Sequence, residues 1–219
     1  MNEQQQAAAA IEHINTMMER SSRFISLSGW SGISAGICAL VGAWLAYPYT
    51  TLQKSLFINE RLATEQLMAN SYAVLLNTWL FYIALGTFVM AFATAFIFTW
   101  RKSKQQGVPL WGSTAKRLMI NVSVPLLVGA IFLMHMVGHG TLGLVAPGCL
   151  IFYGLALVNA SKYTLHEIRY LGYAQIILGI VNCWFEGYGL YFWALGFGIM
   201  HIAYGIYMWA TYEKNTSAS

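Results

Sequence analysis

A chain of 219 residues that is 58% hydrophobic and only 9% charged has too little polar surface to coat a water-soluble globule of any fold. Its formal charge of +4 comes from basic residues that mostly flank apolar runs, with no basic helix and no aromatic-interleaved patch, which argues against nucleic acid as a partner. Backbone groups in hydrocarbon need internal partners, and the runs lack the strict alternation of barrel strands. The expected class is therefore an all-α integral membrane protein, with membrane lipids as its first partners.

Residues 1–23 come first. Ile11, Ile14, Met18, Ser22 and Ile25 recur at helical spacing, while Glu12, Asn15, Glu19, Arg20 and Arg23 take the other face. This predicts an N-terminal amphipathic helix that lies on the membrane surface, collars the bundle or docks a cytoplasmic partner. No small-residue cleavage site precedes the first apolar run, so a cleaved signal peptide is not expected.

No Asp, Glu, Lys or Arg occurs over 24–53, 66–100 or 118–161, and a crossing needs roughly 20 mainly apolar residues. Six transmembrane helices are expected, near 24–47, 72–100, 118–137, 142–161, 168–187 and 189–212, followed by a tail over 213–219. The third and fourth share one uncharged run, with Gly138, Gly140 and Gly143 supplying the turn. Pro125 and Pro147-Gly148 are expected to break hydrogen bonds inside their spans. In this topology Arg20, Arg23, Arg101, Lys102, Lys104, Lys116, Arg117, Lys162, Arg169 and Lys214 lie on one side, against Lys54 and Arg61 on the other. The positive-inside rule then puts both termini in the cytoplasm. Tyr47, Tyr49, Trp100, Trp111, Tyr188, Tyr191 and Tyr212 fall near span ends, as interfacial anchors do.

Three spans carry stripes. In the first, Gly29, Gly32, Gly36, Ala39 and Ala43 share a face whose Gly32/Gly36 step suits close packing or a homo-oligomer contact. In the fifth, Gly172, Gln175, Gly179, Asn182 and Glu186 follow at steps of three or four. The sixth repeats this with Ala194, Gly198, His201 and Gly205. Polar groups on such helices point toward protein or water. His135 and His139, four residues apart, would join Glu186 at the outer end of the bundle as a ligand set suited to a divalent metal, although no cofactor is firmly implied. Cys38, Cys149 and Cys183 form no CxxC pair.

The segment Glu19-Arg20-Ser21-Ser22-Arg23-Phe24-Ile25-Ser26-Leu27-Ser28-Gly29, with the span count and the glycine-rich fifth and sixth spans, resembles small bacterial inner-membrane proteins to which no activity is assigned. The resemblance implies class and location alone. No soluble catalytic domain, nucleophile elbow or phosphate-binding glycine loop is present, so an enzyme is not the expectation. The leading functional expectation is a small-molecule or ion binding and transport module, with an outward-facing polar vestibule at His135, His139 and Glu186 leading toward Gln175, Asn182 and His201. A sensor or scaffold signalling through residues 1–23 is the first alternative and a membrane metalloprotein the second.

Overall fold

The computed structural model describes residues 28–60, 79–107, 111–139, 141–185 and 187–214. The amphipathic segment 1–23, Glu186 and the tail beyond Lys214 lie outside them. The described chain is helical, without strands: α1 (Gly29–Glu60), α2 (Trp79–Gln106), α3 (Ser113–Gly138), a 3₁₀ turn at Leu142–Leu144 leading into α4 (Val145–Ala160), α5 (Ile168–Asn182) and α6 (Gly189–Glu213). Gly29–Thr50, α2, α3, Leu142–Ala160 and α6 are long and apolar enough to cross a membrane.

α5 differs from the expected span over 168–187. It has 15 residues, about 22 Å of rise, and gives way to turns at Cys183 and Trp184 before Gly187 reverses the chain at φ 84°. The first span also differs, because α1 does not stop near residue 47 but runs through Pro48 to Glu60. A proline removes one donor from a helix, and long helices absorb that loss. Pro147 turns out to sit in the first turn of α4, where its missing N–H would have had no helical partner anyway, so it breaks no interior bond.

The α1/α6 and α4/α5 pairs run antiparallel and touch through glycine. A Cβ on Gly205 would lie 2.6 Å from the Gly29 carbonyl oxygen and from the Ile33 nitrogen, and one on Gly36 would lie 2.7 Å from the Gly198 carbonyl oxygen. The Gly29, Gly32 and Gly36 edge is thus packed against α6 of the same chain. Across α4 and α5 a Cβ on Gly154 would meet the Gly172 carbonyl oxygen at 2.6 Å. The order across the bundle is α2 against α1, α1 against α6, α6 against α4 and α5, and α3 on the outer side of α4.

The outer helices are apolar on their free faces: Phe88, Phe92 and Phe96 of α2 stack in a row, and Leu127 and Ile131 of α3 are exposed. Trp100, Trp111, Tyr188, Tyr191 and Tyr212 are exposed near helix ends, and Tyr47 is exposed inside α1, near the end of its apolar stretch. An exterior of this kind suits hydrocarbon and not water.

One end of the bundle, hereafter the basic end, gathers the start of α1, α3 and α5 and the finish of α2, α4 and α6. There Glu213 Oε1 accepts from the Gly29 N–H at 2.7 Å, Ser28 Oγ at 3.1 Å and Lys102 Nζ at 3.0 Å. A carboxylate at the first turn of α1 satisfies N–H groups that have no helical partner and opposes the helix dipole. The Tyr212 hydroxyl donates to Glu167 Oε1 at 2.6 Å, tying α6 to the turn before α5.

Candidate functional site: a side-opening cavity at the basic end

The helix order leaves a gap. α2 packs along α1 and, apart from the Lys102–Glu213 bridge, has no comparable packing against α4, α5 or α6 among the described residues. The space between them is an open cavity of about 230 Å³. Ser31 of α1, Ala95 and Thr99 of α2, Tyr153 of α4, Leu171 of α5 and Tyr204 of α6 border it. Each lies within about three turns of the basic end of its helix. Tyr153, about two turns from the end of α4, forms one wall with His201.

That wall depends on an irregularity in α6. Residues Ala194–Met200 wind as a π-helix before α-helical geometry resumes at His201. Glycine at 196 and 198 suits this stretch, because Leu150 and Gln175 press on the first and Leu40 on the second. The Gly196 carbonyl accepts two side-chain bonds, from Gln175 Nε2 at 2.7 Å and His201 Nδ1 at 3.0 Å. π-bulges often occur where a helix turns its backbone groups to such use.

The bonds fix the His201 tautomer. With its proton on Nδ1, directed at Gly196, Nε2 is an acceptor, and the Tyr153 O–H donates to it at 2.8 Å. Gln175 Nε2 and His201 Nδ1 approach to 3.5 Å, but both carry hydrogen in this arrangement, so that approach is a packing contact. The Tyr153 ring also lies 5.4 Å from the His201 ring and 5.1 Å from Phe197. The network is neutral and positions the two aromatic rings.

Gln175 is fully buried, and Asn182 and His201 are buried at 3% and 7% exposure. Gln175 and His201 meet through Gly196, while Asn182 lies seven residues further along α5, about 10 Å away. Three buried polar atoms have no partner among the described residues: Gln175 Oε1, Asn182 Nδ2 and the Tyr204 hydroxyl oxygen. Only Tyr204 of these borders the cavity.

His135 and His139 are elsewhere. They lie at the end of α3 opposite the basic end, both exposed, with rings 4.3 Å apart. His139 Nδ1 is 2.9 Å from the His135 carbonyl oxygen, and its N–H donates there, satisfying a carbonyl of the last turn. Their expected third ligand, Glu186, lies outside the described residues, and no group of three or more His, Cys, Asp or Glu assembles among those described.

Tyr153, Ala95 and Thr99 carried no signal in the sequence. Tyr204 had one to offer, since it follows His201 by three residues and so shares its helix face. Comparison with protein families finds no matching family model, and comparison with curated proteins and with solved structures finds no match.

Proposed function

We propose that the chain is a bacterial inner-membrane protein with both termini in the cytoplasm, and that it binds a neutral, largely apolar ligand taken from the lipid phase. The observation that carries this is the cavity between α2 and α4/α5. It borders no Asp, Glu, Lys or Arg among the described residues, and α2 has no comparable packing against α4 or α5 that would close it on that side. A water-soluble ion would find no counter-charge there, whereas a lipid-phase molecule would enter from the side. Binding and transport remain the leading class, but the site is placed at the basic end and not at the outer histidines. The orientation rests on Arg101, Lys102, Lys104, Lys116, Arg117, Lys162 and Arg169 at the cavity's end of the bundle. The ligand would therefore come from the inner leaflet.

Reporter fusions at Gly107 and after Ser219 should read cytoplasmic, and one after Glu60 periplasmic; a reversed reading at any of them overturns the orientation. The cavity is tested by Ala95→Trp, which fills it from α2 while leaving the His201 network untouched. Lipid extracts of wild-type protein should contain a neutral lipid near equimolar amount that is at least tenfold depleted in the variant. Identical lipid content in the two proteins, both folded, would overturn the binding reading.

A further inference from the structure

α3 ends on two histidines. His135 lies in its last turn and His139 is its cap residue; both are exposed, with ring centroids 4.3 Å apart. They continue the stripe of Leu127 and Ile131 at further steps of four, so the exposed apolar face of α3 finishes in two imidazoles. Two imidazole nitrogens each about 2.0–2.1 Å from one ion put their ring centroids roughly 4.5–5.2 Å apart. The rings need to part only slightly, and rotation of the exposed His135 side chain supplies that movement.

The hydrogen bond of His139 selects the nitrogen that meets the ion. Its Nδ1–H donates to the His135 carbonyl oxygen at 2.9 Å, which leaves the ring's lone pair on Nε2. A metal-ligating histidine almost always donates its other ring N–H in this way, and a backbone carbonyl is one of the usual acceptors. Charge favours a cation at the same place. The pair stands at the C-terminal end of a 26-residue helix, the negative end of its dipole, while Arg101, Lys102, Lys104, Lys116, Arg117, Lys162 and Arg169 gather at the opposite end of the bundle. No third His, Cys, Asp or Glu joins the pair among the described residues. Imidazole suits Cu²⁺, Ni²⁺ and Zn²⁺, and Cu²⁺ is held most tightly of the three.

We infer that His135 and His139 chelate one divalent transition-metal ion, Cu²⁺ ahead of Ni²⁺ and Zn²⁺, through one nitrogen of each ring, with water in the remaining positions. Two side-chain ligands make an open, exchangeable site, at the end of the bundle that the proposed orientation puts outside the cytoplasm. The cavity plays no part in it.

The test uses the full chain in dodecylmaltoside, without a histidine tag, in a His13→Ala, His166→Ala, Cys183→Ser background that removes competing ligands. Titration with Cu²⁺ should show one ion per chain, and the copper EPR spectrum should carry couplings from two nitrogens. Ni²⁺ and Zn²⁺ should compete for the same site more weakly. His135→Ala and His139→Ala should each weaken Cu²⁺ binding at least tenfold, since even an outer-shell partner is worth that much to a metal site. His135→Gln, which keeps a polar side chain at that position, should match His135→Ala. Two ions per chain, reduced to one of unchanged affinity by either substitution, would show separate histidines and overturn the chelate. A single ion whose affinity neither substitution alters, or no saturable Cu²⁺ binding to the parent, would overturn it as well.

Discussion

Gly205→Leu should separate α1 from α6 and cost roughly 3 kcal/mol or more, the upper range for overpacking a close-packed contact. The obstacle is backbone and cannot rotate away. Even a methyl group at 205 would stand 2.6 Å from the Gly29 carbonyl oxygen and the Ile33 nitrogen, and 2.8 Å from Ile33 Cγ1. Moving α6 outward would also pull Glu213 from the Gly29 N–H and Ser28, so the loss would spread to the basic end. Gly205→Ala should cost less, about 1–3 kcal/mol. Gly86→Ala is the control: nothing lies within 4 Å of a Cβ there, and replacing an exposed helical glycine should be neutral or stabilising by up to about 1 kcal/mol. Thermal unfolding of the three variants in one detergent checks the series. Equal unfolding temperatures for Gly205→Leu and wild type would contradict the α1/α6 contact.

His201→Leu should cost about 2–4 kcal/mol, because it removes the acceptor of a largely buried tyrosine hydroxyl as well as the Nδ1 bond to Gly196. The Gly196 carbonyl keeps its bond from Gln175, so the larger part of the loss lies at Tyr153. That division has a measurable consequence. Tyr153→Phe in the His201→Leu background removes a hydroxyl that has already lost its acceptor. The double variant should therefore be more stable than the sum of the two single losses implies, by about 1 kcal/mol in the double-mutant cycle. Strict additivity would show that the Tyr153–His201 bond contributes nothing to stability.

Much of this architecture is legible in the sequence because hydrocarbon is a demanding solvent. Uncharged runs translate into helices, and steps of three and four put Gln175, Asn182 and His201 on interior faces. The small-residue stripe of the first span marks a close contact, but spacing alone cannot say whether the partner helix comes from the same chain. Here Gly198 and Gly205 of α6 occupy it. Helix ends were less legible. The first span was expected to end near residue 47, yet Pro48 lies inside α1, since a single missing donor does not by itself end a long helix. The π segment at Ala194–Met200 has no signature beyond its glycines, because it is fixed by what Gln175 and His201 bond to across the bundle.

The site was the least legible part. Intramembrane histidines attract attention as ionisable groups; His135 and His139 are exposed at a helix end, and their expected partner Glu186 lies outside the described residues. Tyr204 gave no such signal. A tyrosine in an aromatic-rich helix reads as an anchor, and its place beside the cavity comes from packing in three dimensions.

A density map of the purified protein in a phospholipid nanodisc, resolved well enough to trace lipid tails, tests the side-opening cavity most directly. Elongated density should begin beside Tyr204 and Tyr153 and leave the bundle between Ala95 of α2 and Leu171 of α5. A map in which α2 closes against α4 and α5, with Ala95 and Thr99 packed on Leu157 and Leu171 and no space for a headgroup between them, would contradict it.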